Sequence, residues 1–152
     1  MIFSSPTEYA IRGLSEMAIR GDDQRILLDE LVAGTNLPRD FMAKVFQRLV
    51  HAGLLRSSKG RGGGFSLSRP AHQITMMQIA EAIEGPQMMD RCVVGLEKCN
   101  DHMPCPQHDL YKPIRQRLKD YLNTTTLADL ASSLKAKLAW RQQTEKQAPT
   151  VV

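Results

Sequence analysis

The chain of 152 residues has three cysteines, Cys92, Cys99 and Cys105, with His108 three positions after the last. Thiolates bind soft or borderline metals, so three of them with a nearby imidazole suit a tetrahedral zinc site or an iron–sulfur cluster. Zinc fingers hold ligand pairs on turns of about two to four residues, and only Cys105 with His108 has that separation. The gaps of six residues after Cys92 and five after Cys99 suit a looser loop, wrapped around something larger than one ion. Three unligated thiols are the plain alternative, although a polar loop lacks the apolar burial that makes inert thiols common. Arg91 and Lys98 favour thiolate over thiol. An odd number of cysteines without an export signal argues against a disulfide framework.

A second group of residues is basic. Positions 36–70 carry seven Lys and Arg (Arg39, Lys44, Arg48, Arg56, Lys59, Arg61, Arg69) against Asp40 alone, a local charge of +6 in a chain of net +4. A solvated basic face accounts for any such run, and so does a nucleic-acid surface. The elements beneath it favour the second. Leu28–Ala33 reads as a short helix closed by Gly34, and Pro38 opens another that runs to about His51 and stops at Gly53. In it Phe41, Met42, Val45, Phe46 and Leu49 form the buried stripe, so Arg39, Asp40, Ala43, Lys44, Gln47 and His51 point outward. Two short helices joined by a tight turn, the second one basic on its open face, make a helix-turn-helix. Leu54–Ser58 and Phe65–Ser68 then read as strands around the run from Lys59 to Gly64, which gives a basic, glycine-rich wing. That run matches neither nucleotide-binding glycine pattern, so its glycines mark a hairpin that approaches another backbone closely.

The remaining elements support these two groups. Residues 4–20 read as a helix with Ser5, Pro6 and Glu8 forming a capping box and Ala10, Ile11, Leu14, Met17 and Ala18 on one face. Ile74–Glu84 is a helix capped by Thr75 with Gln78 and stopped by Gly85-Pro86. After the cysteine loop, Leu110, Ile114, Leu118, Tyr121 and Leu122 form a stripe on a helix that either begins at Pro113 or starts near Pro106 and kinks. Thr126 with Asp129 caps a last helix with Leu127, Leu130, Ala131, Leu134 and Leu138 on its face, and the chain is expected to fray from Gln142. These two helices carry more apolar stripe than a small winged helix can cover, which points to a homodimer centred on Leu118 and Leu122.

Several of these stretches together resemble the Rrf2 family of bacterial regulators. They are Thr7-Glu8-Tyr9-Ala10, Gly53-Leu54-Leu55 leading into Lys59-Gly60-Arg61-Gly62-Gly63-Gly64-Phe65, the three-cysteine loop and Thr126-Leu127-Ala128-Asp129-Leu130, collinear over residues 1 to about 135. The resemblance implies a dimeric winged-helix transcription factor whose iron–sulfur cluster, 4Fe-4S or 2Fe-2S, reports on iron supply, redox state or nitric oxide. By position, Cys92, Cys99 and Cys105 match the cluster cysteines. The fourth ligand has two matches, His108 as in IscR-like members and Glu8 of the partner subunit as in NsrR-like members. The chain departs from the family at Ala43, where IscR-like members carry a base-reading glutamate, and at Arg61, where proline is usual.

The expected fold class is mainly α with a small β-hairpin wing. A winged helix-turn-helix domain spans 1–86, the cysteine loop 87–107, dimerisation helices 108–140 and a flexible tail 141–152. The expected DNA contacts, on a double-stranded operator, are Arg39, Lys44, Gln47, Lys59 and Arg61. No apolar run is long enough for a membrane helix and no secretory signal opens the chain, so a cytoplasmic protein is expected. No catalytic arrangement stands out, so an enzyme is not expected. The rivals are a zinc-stapled or thiol-switch regulator on the same scaffold, and a cluster protein of electron transfer whose basic face docks an acidic partner.

Overall fold

The computed structural model describes residues 2–33, 35–96, 99 and 101–147, so the expected roles of Gly34 and Lys98 lie outside the described residues. Among these the order is α1 (Ser5–Arg20), α2 (Leu28–Ala33), α3 (Arg39–His51), β1 (Leu55–Ser58), β2 (Gly64–Leu67), α4 (Met76–Glu84), α5 (His108–Thr124) and α6 (Leu127–Gln147). Helix α1 packs on α3, α4 and α6. The main core joins Ala10, Leu14 and Met17 of α1 to Leu31 of α2 and to Met42, Val45, Phe46 and Leu49 of α3. The residues that periodicity assigned to the inner faces are the ones that lose their water, which is the main force holding these helices together.

Phe41 departs from the expected stripe. It is 36% exposed and meets Tyr9 of α1 edge-on, with ring centroids 5.4 Å apart. It stands at the edge of the stripe in the first turn of α3, where an aromatic pair covers it in place of the core.

The N-terminus of α1 also differs. Ser4 occupies the capping position and Pro6 the first turn, but no side chain caps the helix. Instead the Ser4 N–H and hydroxyl donate to Glu84 Oε1 at 2.9 and 2.5 Å, and the buried Thr7 hydroxyl joins them at 2.6 Å. The expected box between Ser5 and Glu8 is absent because the helix begins one residue earlier, with Ser4 at the capping position and the Glu8 N–H donating to the Ser4 carbonyl oxygen at 3.1 Å.

Strands β1 and β2 pair antiparallel, with Leu55 opposite Leu67 and Ser58 opposite Gly64. Ile26 adds a bridge to Phe65, with both N–H···O distances 2.9 Å. This is the close approach for which the glycines are needed. Gly64 has φ +124°, and a Cβ there would stand 2.6 Å from the Ile26 carbonyl oxygen. Phe65 then lies edge-on to Phe46, centroids 5.1 Å apart, and locks the wing to α3.

The expected caps of α4 and α6 both form. Gln78 N–H donates to Thr75 Oγ1 at 3.2 Å and Thr75 N–H to Gln78 Oε1 at 3.0 Å, while Asp129 and Thr126 exchange the equivalent bonds at 3.2 and 2.9 Å. Helix α5 begins at His108 and carries Pro113 inside it, which decides between the two expected starts. The proline lacks an N–H, so the Asp109 carbonyl has no partner there. Helix α6 continues to Gln147, past the expected fraying point at Gln142. Gln142, Gln143, Glu145 and Lys146 are good helix formers and extend a helix already nucleated.

Leu122 is fully buried among Met76, Met77 and Met89 of its own chain, and Leu118 packs on the same cluster. Leu122 is thereby withdrawn from the expected dimer centre, because α4 covers that side of α5, whereas Leu118 stays half-buried. The apolar residues left exposed are Leu110, Ile114 and Tyr121 on α5 and Leu138 and Trp140 on α6. No helix is long and apolar enough to cross a membrane among the described residues.

Candidate cysteine centre and DNA-facing surface

The segment between α4 and α5 brings the three cysteines to the N-terminal end of α5. Gly95, at φ +80°, closes a turn in which its N–H reaches the Cys92 carbonyl at 3.1 Å. The turn aims successive N–H groups at the Cys92 sulfur. The Val94 N–H chiefly, then the Leu96 N–H, the Cys105 thiol and the Gly95 N–H, hold the Cys92 thiol below its usual pKa against the opposing effect of desolvation. Cys105 in turn anchors the helix, since the His108 N–H donates to its carbonyl oxygen at 2.9 Å.

His108 is the first residue of α5 and is 4% exposed, so it is a buried imidazole rather than a solvated one. Its Nδ1 lies 3.1 Å from Cys99 Sγ and its Nε2 2.7 Å from Asp101 Oδ1. Lys112 Nζ donates to the same Asp101 oxygen at 2.7 Å. The hydrogen bonds from Lys112 and then His108, with the Lys112 charge, hold the Asp101 carboxyl below its ordinary pKa. Asp101 and Lys112 had not been singled out in the sequence. Lys112 stands one helical turn after His108, a spacing that could have drawn attention to it, whereas Asp101 sits in an aperiodic loop that offers no signal.

Among the described residues no three histidine, cysteine or acidic side chains converge as a single metal ion would require. The donors stand as two pairs, Cys92 with Cys105 and Cys99 with His108. Thiols and an imidazole are the donor chemistry of iron–sulfur ligation, and two separate pairs fit a group larger than one ion. The Glu8 side chain, partly buried on α1, makes no hydrogen bond or ion pair with any described residue.

A groove of about 480 Å³ runs between α3 and the wing, lined by Arg39, Gln47, His51, Ser57, Lys59 and Phe65. The basic run divides sharply here. Arg48 donates to the Ile83 carbonyl, Arg56 to the Ser68 carbonyl at 2.9 Å, and Arg69 to Gln73 and Gln78 at 3.1 and 2.9 Å. Arg39 is ion-paired with Asp29 of α2 and lies 3.5 Å from Asp40. The Asp29 hydrogen bond and charge raise the Arg39 pKa, and the Arg39 hydrogen bond and charge lower that of Asp29. Lys44, Lys59 and Arg61 make no hydrogen bond or ion pair with any described residue and are exposed together with Gln47.

A helix-turn-helix followed at once by a basic hairpin that packs on the second helix defines a winged-helix protein. Residues 3–133 match the Rrf2 family, described as iron-dependent transcriptional regulators, and the chain belongs to that family. It is 27% identical over 146 residues to the HTH-type transcriptional regulator IscR of Pectobacterium atrosepticum, a match that covers 95% of this chain and 88% of that protein. The fold is similar to that of CymR of B. subtilis, described as the global cysteine regulator, with TM-score 0.73, 28% identity and coverage of 86% and 96% of the two chains. It also matches the fold of T. potens IscR, with TM-score 0.68 at 18% identity and 86% of each chain covered.

Proposed function

We propose that the chain is a homodimeric regulator of transcription in which Cys92, Cys99 and Cys105 hold an iron–sulfur cluster whose state sets affinity for an operator. The observation that carries this reading is that the three cysteines gather in two pairs at the start of α5, Cys99 against the buried His108 and Cys92 against Cys105, on the helix that exposes Leu110, Ile114 and Tyr121. When bound, such a cluster supplies redox-active iron able to answer to iron supply, redox state or nitric oxide. The chain's own groups hold the loop around it. Backbone N–H groups of Val94, Gly95 and Leu96 stabilise a thiolate at Cys92, and Cys99 presents its sulfur beside His108. His108 is the preferred fourth ligand on that contact, and Glu8 of a partner subunit is its competitor. A change at the start of α5 alters the pairing of two subunits. Their recognition helices must lie about 34 Å apart to enter successive major grooves of an inverted repeat.

DNA contact falls to the groups that the fold leaves unpaired. Lys44, Lys59 and Arg61 serve the phosphates and Gln47 a base edge, while Arg39 is held by Asp29 and offers its remaining N–H groups. Replacing Lys59 and Arg61 with alanine should reduce the log–log salt slope of binding by about 0.9 for each phosphate that is no longer neutralised. An unchanged slope would remove the wing from the interface.

The hydrogen bond between Cys92 and Cys105 favours one second reading, a thiol switch without metal. Anaerobic purification followed by visible absorption separates the two, since a cluster is brown and thiols or zinc are colourless. Glu8→Ala and His108→Ala, reconstituted anaerobically and compared by visible circular dichroism, identify the fourth ligand as the one whose loss changes the spectrum. A cluster-loaded protein with no affinity for duplex DNA would instead fit electron transfer.

A further inference from the structure

We infer that Asp101, braced by Lys112, is a positioning residue that fixes the His108 ring with Nδ1 toward Cys99 and the cysteine loop. This rests on the cluster reading above and adds to it the groups that orient one donor. An imidazole has two nitrogens, and an unconstrained ring turns either one to a neighbour. Here the choice is made by the loop. A carboxylate is an acceptor only, so the Asp101 contact at 2.7 Å requires the hydrogen on Nε2. In the neutral ring Nδ1 is then left with its lone pair aimed at the Cys99 sulfur 3.1 Å away, which is the orientation a ligand needs.

The brace is built from two different elements. Asp101 belongs to the loop and is 67% exposed, whereas Lys112 stands one turn along α5 from His108 and reaches the same carboxylate oxygen at 2.7 Å. The ammonium thereby ties the loop carboxylate to the helix that carries the imidazole. With the ring itself 4% exposed, water does not compete for Nε2, so the carboxylate decides the orientation. In metal sites an outer carboxylate of this kind orients a ligating histidine and raises its basicity, and its loss costs about 10- to 100-fold in retention of the metal.

The test uses the full-length chain labelled with nitrogen-15 in histidine, with His108→Gln to assign the resonance. In the cluster-free protein, ring-nitrogen NMR is expected to find His108 protonated at Nε2 with Nδ1 bare. Asp101→Ala should lose that single form, and Asp101→Glu should restore it. Lys112→Met should weaken it. In the reconstituted protein, Asp101→Ala should release iron to a chelator about 10- to 100-fold faster than wild type and change the histidine nitrogen coupling, with melting temperature and duplex affinity of the cluster-free form unchanged. If Asp101→Ala keeps the wild-type tautomer, the inference is wrong. If the tautomer changes but iron loss and nitrogen coupling do not, His108 is oriented but is no ligand, and the inference fails at its functional step. Should the wild-type chain take up no cluster at all, the cluster reading falls while the ring-nitrogen comparison still decides whether Asp101 sets the ring.

Discussion

Glu84 shows how one side chain joins distant parts of the sequence. Its Oε1 takes three donors from Ser4 and Thr7, 80 and 77 positions away, and ties the start of α1 to the end of α4. The Ser4 hydroxyl first, then Thr7, then the Ser4 N–H and the Arg91 charge, lower its pKa from the ordinary 4.5, against partial desolvation. A depressed carboxylate contributes stability that is present in full above its unfolded value and is lost as the pH falls through the folded one. Glu84→Gln keeps an acceptor oxygen and removes the charge of a largely solvated group, so it should cost about 0.5–1 kcal/mol near neutral pH. Melting curves of the two proteins should converge as the pH drops below about 4.5. A gap that persists undiminished in acid would mean that packing, not the charge, is what the substitution removes.

The wing depends at the element scale on where its glycines lie. Gly62 has φ +73° with open space around its missing side chain, so alanine there meets backbone strain alone, about 1–2 kcal/mol. Gly64 combines φ +124° with a Cβ position 2.6 Å from the Ile26 oxygen and 3.0 Å from its carbon, both backbone atoms that cannot swing aside. Gly64→Ala should open the Ile26–Phe65 bridge and release Phe65 from Phe46. It should lower the melting temperature more than Gly62→Ala does, and weaken operator binding while α1 and α4 keep their helicity. Thermal melts and gel-shift titrations of the pair check the order. Equal losses would place the strain of φ, not the close approach, in control.

The proposed dimer belongs to the scale of the whole molecule. The structure separates two sides of α5 that look alike in sequence, since Leu122 is buried by α4 whereas Ile114 is 61% exposed. A charge at Ile114 faces water in the isolated chain but would be buried unpaired in a dimer, at a cost of about 3–5 kcal/mol. Ile114→Glu is thus expected to sediment as a folded monomer with operator binding lost, whereas Leu122→Glu should fail to fold. An intact Ile114→Glu dimer would move the interface elsewhere.

Periodicity, caps and glycine placement are properties of neighbours along the chain, so the order of helices and the wing, the Thr75 and Thr126 caps and the inner face of α3 were legible without a structure. The three cysteines and the basic run were legible as types in a pattern. What the sequence could not say is which side chains the fold takes for itself. Charge counting treated seven cations of residues 36–70 alike, yet Arg48, Arg56 and Arg69 are held by carbonyls and Arg39 by Asp29, which leaves Lys44, Lys59 and Arg61. Likewise Ser5 and Glu8 looked like a capping box, yet Ser4 holds the capping position and its hydroxyl goes to Glu84, 80 positions away. Asp101 entered the cysteine centre only through a loop that closes on α5. Local conformation depends on residues three or four apart, whereas hydrogen-bond partners and burial depend on groups brought together from anywhere in the chain, and only the packed molecule decides among them.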